Sequence, residues 1–138
     1  MPPVIRQKRN KRRGAATVEF AIVAPLLFLV ILAIFEFGRT FMVIDLLGDA
    51  ARVGCREGAV QGKSSATITS DVQSRLQAEG VNNASVTVQV KGAVGDPAAA
   101  NSGDAITVQV TVPVSSIVWS TANFLSGTLS GQSTLEKE

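Results

Sequence analysis

The feature that most constrains this chain is an apolar run without charge, Phe20–Phe35, which is bounded by Glu19 and Glu36. Apolar side chains cover every side of a helix drawn through this run, whereas a surface helix of a soluble protein carries one apolar stripe. A chain of 138 residues is too small to enclose such a helix in protein. Crossing a bilayer takes about 20 apolar residues, with a lower limit of ~17. Apolar neighbours extend the run, which predicts a transmembrane helix over about 15–37.

The charges around the run predict its orientation. No acid lies among the first fourteen residues. Six basic side chains precede the run: Arg6, Lys8, Arg9, Lys11, Arg12 and Arg13. The charges beyond the run are mixed, so the positive-inside rule places the N-terminus in the cytoplasm and the rest of the chain across the membrane. Basic tracts also bind nucleic acid, but a position directly before a membrane run favours a topogenic signal and no nucleic-acid partner. The leader, Met1–Gly14, has no means of forming a core, and we expect it to lack fixed structure in the cytoplasm.

The end of the leader offers a second kind of processing signal. Ordinary signal-peptide cleavage requires a small-x-small site directly after the apolar region, and no such site follows Phe35. Gly14 closes the leader, and cleavage after it would make Ala15 the new N-terminus and Glu19 the fifth residue. This arrangement resembles the class III signal of type IV pilins. An uncleaved signal anchor stays open as the plainer alternative.

A longer stretch resembles one family. The resemblance rests on four segments: Gly14–Ala21, Pro25, Glu36–Arg39 and Ala50–Arg56. These segments are similar to the TadE-like family, the pilin-like proteins of bacterial tight-adherence (Tad or Flp) pilus systems. The resemblance implies a minor pilin-like structural component of a Tad pilus or secretion apparatus, processed by prepilin peptidase and assembled through its N-terminal helix. It also implies other pilin-like subunits and Tad inner-membrane assembly proteins as partners. The implied location is the bacterial inner membrane with a periplasmic head, and residence in the pilus stays open.

Two residues of the run have physical consequences. An ionised Glu19 toward the bilayer centre would cost ~2.5–3.5 kcal/mol or more, so it must lie near the interface or be paired. The α-amine of a processed Ala15 is one partner, and the resemblance implies a neighbouring subunit's amine, which would set axial register. The alternative is an interfacial acid stabilised by the helix dipole. Pro25 removes one backbone hydrogen bond and predicts a kink. Glu36 and Arg39 lie three residues apart on one helix face, and we expect them to form a solvated boundary, with a weak ion pair between them as the alternative.

Beyond the membrane the helix is predicted to continue to about residue 60. Phe41, Ile44, Leu47 and Ala51 recur at three- and four-residue steps and predict one apolar stripe against a sheet. Small residues recur every four positions at Ala50, Gly54, Gly58 and Gly62. This row predicts that the chain's own sheet approaches the helix closely, or that the end of the helix frays. The lone Cys55 excludes an internal disulfide. It is predicted to be a buried apolar residue, with an intermolecular disulfide as the alternative.

Residues 61–138 predict a small α+β head. A second helix is expected from a Ser65 or Thr67 cap to about Glu79, with Gly80 as its stop. Alternating β-branched residues predict strands over 86–90 and 106–112, and a third strand is expected over 127–135. Gly92–Asp104 is expected to be a loose loop, and Val114–Leu125, which holds Trp119, could form a short helix. The predicted fold is pilin-like: a long helix whose outer half packs on a three-stranded antiparallel sheet.

The composition argues against catalysis. The chain has no His and no Tyr, and the acids of the head are scattered rather than grouped as metal ligands. We therefore expect no enzyme activity, no catalytic, cofactor or metal site, and no cofactor. Two functions from different classes follow: a structural pilin-like subunit, or an uncleaved single-pass protein whose extracytoplasmic head binds a partner.

Overall fold

The computed structural model describes residues 10–117 and 127–138. The chain divides into two compact units, Met1–Phe37 and Gly38–Glu138. The helices and strands, in chain order, are α1 Asn10–Ala59, α2 Ser65–Ala78, β1 Ser85–Val90, β2 Ala93–Val94, β3 Ala105–Pro113 and β4 Thr128–Glu136. Short 3-10 turns occupy Pro97–Ala99 and Val114–Ser116. A short helix was expected over Val114–Leu125, and the part of this prediction after Ile117, which includes Trp119, lies outside the described residues.

The first unit consists of the N-terminal part of α1. The helix begins at Asn10, inside the segment expected to lack fixed structure, and continues without a break through Pro25. It is long and apolar enough to cross a membrane, since its best 18-residue window has a mean hydropathy of 2.8 and none of that window is buried. The large side chains of the run are accordingly exposed, with Phe28 at 70%. This unit agrees with the predicted apolar span.

The second unit is built around an antiparallel sheet with the strand order β2-β1-β3-β4. The central strand β3 pairs with β1 through Val88↔Val108 and with β4 through Val108↔Ser133. Its alternating Ile106, Val108, Val110 and Val112 are each 0% exposed. Most of them join one core cluster with side chains of α1 and of α2. The period-two pattern of the sequence therefore marks the face that carries the core.

The sheet has four strands, so the prediction of three strands was wrong in number. The additional strand β2 begins at Ala93, directly after a turn in which Lys91 and Gly92 have φ of 54° and 80°. Two consecutive residues with positive φ form the type I′ turn that reverses a strand most tightly. The chain therefore folds back at once, and Val90 pairs with Ala93. Only the part of Gly92–Asp104 after β2 remains loop.

The buried stripe of α1 differs from the predicted one. Leu47 and Ala51 are 0% exposed as expected, but Phe41 is 64% exposed and Ile44 is 37% exposed. The stripe runs instead through Val43, Leu47, Ala50, Ala51 and Cys55. Apolar residues at three- and four-residue steps occur on two sides of this helix, and spacing alone does not tell which side meets the sheet.

Glycines allow α1 to lie very close to the rest of the head. A Cβ atom on Gly54 would lie 3.1–3.3 Å from methyl groups of α2 and β3, and one on Gly58 would lie 3.2–3.3 Å from side chains of Ile68, Pro97 and Ile106. This confirms that these small residues face the chain's own elements. Gly62 is not part of the row, because it follows the helix with φ of 63°.

The prediction that Cys55 is buried is confirmed. Its side chain is 0% exposed, and its Sγ donates a hydrogen bond to the Ser133 carbonyl oxygen at 2.8 Å. The thiol thus lies between α1 and the β3–β4 pair. Burial raises the pKa of the Cys55 thiol.

The other boundaries need small changes. The cap of α2 is Ser64, whose side chain accepts a hydrogen bond from the Thr67 amide, rather than Ser65 or Thr67. Gly80 follows the helix with φ of 79°, as a C-terminal stop requires. Near the C-terminus, the Lys137 ammonium donates hydrogen bonds of 2.8 Å to the Pro97 and Ala100 carbonyl oxygens. This contact fastens the loop after β2 to the end of the chain.

Candidate functional site

The predicted processing residues lie in the first two described turns of an exposed helix. Gly14 and Ala15 both lie in α1 and both are exposed. Gly14 has no positive φ, and apart from its chain neighbours and the nearby backbone of α1, no atom of the described residues lies within 4 Å of the position that its Cβ would take. Neither backbone conformation nor close packing therefore requires glycine here, although glycine inside a helix costs about 1 kcal/mol relative to alanine.

Glu19 lies four residues beyond Ala15 on the same helix and is exposed. At 3.6 residues per turn, the two residues share one face about one turn apart. The carboxylate is the only acid between the start of the described chain and Glu36. The helix thus presents a single negative charge beside the end that cleavage after Gly14 would create.

Pro25 and Glu36 have different surroundings. Pro25 is exposed within the unbroken helix, and the kink stays a prediction. Glu36 is 8% exposed, whereas Arg39 is exposed. The interpretation of both as a solvated boundary was therefore wrong for Glu36.

The sequence reasoning did not single out the outward side of α1 in the second unit. We call this side the outer strip, and it consists of Phe41, Asp45, Asp49, Arg52 and Arg56, all of which are exposed. These five residues fall within an arc of about 80° at 3.6 residues per turn. The side chain of Arg52 is 74% exposed and that of Asp49 is 70% exposed, and they form an ion pair of 2.9 Å. The signal that could have found the strip is the seven-residue spacing between its acids and its arginines.

Polar groups of the head mostly hold loops in place. Lys63 Nζ lies 3.0 Å from Asp71 Oδ2 and 3.4 Å from Glu57 Oε1. The hydrogen bond with Asp71 is the main cause that raises the pKa of Lys63. Over residues 10–117 and 127–138, no group of three or more His, Cys, Asp or Glu side chains is placed to hold a metal ion. The ion pairs of Lys63 connect the loop after α1 to both α1 and α2.

Comparison with known proteins supports the family resemblance. The family model described as TadE-like protein matches residues 14–56. This match confirms the resemblance and covers the glycine, the apolar run and the outer part of α1. A search of curated proteins and a search of solved structures found no match.

Proposed function

We propose that this chain is a minor pilin-like structural component of a Tad-type pilus or secretion apparatus. Prepilin peptidase cleaves the chain after Gly14, and the mature N-terminal helix then packs among the helices of other pilin-like subunits. The TadE-like match over residues 14–56 associates the chain with Tad pili. The head, which begins beyond the membrane span, is the part left outside the membrane. The role is structural rather than enzymatic, and the minor role rests on the size of this head.

The observation that carries the proposal is the pair Gly14 and Glu19 on an exposed helix. Gly14 has no contact or backbone conformation among the described residues that explains a glycine, and a peptidase that reads the residue before the cut would supply a reason. Glu19 would then be the fifth residue of the mature chain, one turn from the new α-amine. An acid on an otherwise apolar helix is costly in lipid, and a neighbouring subunit's amine would offset that cost.

Two further features support membrane assembly. The apolar window of α1 is 0% buried and has no partner among the described residues of its own chain that would cover it. The basic leader supplies the orientation signal that places the head across the membrane. An uncleaved signal anchor shares both features, so they do not separate the two functions. The register of Gly14 with Glu19 favours the pilin-like subunit.

Substitution of Glu19 tests the assembly step apart from membrane insertion. Glu19→Gln keeps the size of the side chain and removes its charge, while Glu19→Asp keeps the charge, and Glu138→Gln is the control for loss of an exposed acid elsewhere. We expect Glu19→Gln to insert normally but to reduce the amount of the chain recovered with the assembled apparatus by about tenfold or more, which corresponds to ~1.4 kcal/mol. Glu19→Asp should retain part of this recovery. Wild-type recovery of Glu19→Gln would count against the register role of Glu19.

A further inference from the structure

The outer strip of α1 has a charge order that the ion pair between Asp49 and Arg52 within the helix explains only in part. Two acids, Asp45 and Asp49, lie one turn apart, and two arginines, Arg52 and Arg56, follow one turn apart. Like charges at i,i+4 destabilise a helix in water. Arg56 lies in the last turn, where the helix dipole favours a cation, but the dipole gives no reason for the pair of acids two turns earlier.

Each acid stands seven residues before an arginine. Asp45 precedes Arg52 by seven residues, and Asp49 precedes Arg56 by the same number. Seven residues are close to two helical turns, so both steps are nearly parallel to the helix axis and span about 10.5 Å. A parallel copy of the same helix, shifted by this distance, would therefore bring both acids of one copy level with both arginines of the next.

The same shift also matches an apolar side chain with an open space. Phe41 is 64% exposed, and Gly48 lies seven residues beyond it. Apart from its chain neighbours and the nearby backbone of α1 itself, no atom in the described part of the chain lies within 4 Å of where a Gly48 Cβ would stand. The Gly48 backbone packs against β4 on one side, and the Phe41 ring of one copy would meet the open side of Gly48 in the next, as a ridge enters a groove in helix packing.

We propose that the outer strip is the contact between neighbouring copies of this chain, which pack as parallel helices shifted by seven residues. Asp45 and Asp49 of one copy lie beside Arg52 and Arg56 of the next, the ion pair between Asp49 and Arg52 within each chain joins this charge network, and Phe41 packs on Gly48. This inference rests on the proposed function, because a shared membrane orientation keeps the helices parallel. The contact is asymmetric, because it joins the acids and Phe41 of one copy to the arginines and Gly48 of the next.

Cysteine cross-linking in membranes measures the shift. One full-length chain carries Phe41→Cys and a second, separately tagged chain carries Gly48→Cys; both are expressed together and oxidised in isolated membranes. Cys55 remains, because its thiol is 0% exposed. We expect a disulfide between the two different chains, because bridged Cα atoms must lie within about 7 Å. Each chain expressed alone should give little product, since residues at the same position would lie about 10.5 Å apart along the axis.

Charge reversal then tests which charges meet. In the Phe41→Cys chain, Asp45→Lys with Asp49→Lys places four like charges at the contact and should reduce the cross-link by about tenfold or more. Arg52→Glu with Arg56→Glu in the Gly48→Cys chain should do the same, and the two reversals together should restore the product. The matched control places Arg52→Lys and Arg56→Lys in the Gly48→Cys chain, which keeps both positive charges at the contact and should leave most of the yield unchanged.

The outcomes separate this inference from the proposed function. A mixed product with rescue by the double reversal supports the shifted contact. A dominant product from Phe41→Cys alone, no product from the mixture, or no rescue overturns it. Asp45→Cys with Arg52→Cys provides a second pair at the same shift if either first variant fails to reach the membrane. Because all these variants keep Gly14 and Glu19, normal processing and recovery with the apparatus would leave the proposed function standing after a failed cross-link.

Discussion

Gly131 is the position where the structure makes the sharpest stability prediction. It lies in β4, and an added Cβ would stand 2.6 Å from the Leu47 carbonyl oxygen and 2.5 Å from the Gly48 amide nitrogen. Both neighbours are helix backbone, so no side chain can rotate away. Ordinary contact of a Cβ begins at 3.4 Å, which means that Gly131→Ala must separate α1 from β4 by at least about 0.9 Å (3.4 − 2.5).

The expected cost follows from that displacement. Overpacking of a tight core costs about 1–3 kcal/mol. Alanine has less conformational entropy than glycine in the unfolded state, which offsets about 0.4–1 kcal/mol of this cost. We therefore expect Gly131→Ala to lower the free energy of unfolding by about 1–2 kcal/mol. For a unit of about 100 residues, this corresponds to a fall of about 5–15 °C in the midpoint of thermal unfolding.

The assay uses the buried thiol of the full-length protein in detergent micelles. Cys55 becomes open to alkylation when the head unfolds, so the alkylated fraction after a short pulse reports unfolding as temperature rises. Gly48→Ala is the matched control. It changes a glycine in the facing helix, but nothing in the described residues lies within 4 Å of its Cβ position, and it should stabilise the helix by up to about 1 kcal/mol. An unchanged or raised midpoint for Gly131→Ala would refute the close approach of α1 to β4.

Two further predictions concern titratable groups of the head. The Cys55 thiol should resist alkylation and intermolecular oxidation in the folded protein, since it is buried between α1 and the sheet; fast labelling without unfolding would contradict this placement. Lys63 should make the folded state less stable at alkaline pH, because the pKa of its ammonium group is raised in the folded protein. The stabilisation from Lys63 is fully present below the pKa of the unfolded state, about 10.4. It is lost as the pH rises through the higher pKa of the folded state. Thermal midpoints from pH 8 to 11 should fall less steeply for Lys63→Gln than for the wild type, and parallel slopes would exclude this role.

Elements with a strong periodic signal could be predicted from the sequence. The apolar run gave the span, and the alternating valines gave β1 and β3 to within about one residue at each end. These segments can be predicted because their signal lies within the segment itself: in a half-buried strand, apolar and polar residues alternate along the chain. The extra strand β2 was missed because its signal is a two-residue turn at Lys91 and Gly92 rather than a run of β-branched residues.

Features that depend on contacts between elements could not be predicted in the same way. Both sides of α1 carry apolar residues at helical spacing, and only the position of the sheet decides that Leu47 is buried and Phe41 is exposed. For the candidate site, Glu19 lies on the exposed helix as expected, whereas Gly14, which the sequence assigned to a leader without fixed structure, lies inside α1. The roles of both residues depend on molecules outside this chain.

The central claim is most directly tested by the N-terminal sequence and intact mass of the protein from membranes of a host with its own prepilin peptidase. The proposed function predicts a mature chain that begins at Ala15 and lacks Met1–Gly14, and it predicts that a Gly14→Val variant keeps the leader. A wild-type chain that retains Met1–Gly14 in such a host would contradict processing as a pilin-like subunit. The chain would then be a signal-anchored protein, and its head would be the part to test for a binding partner.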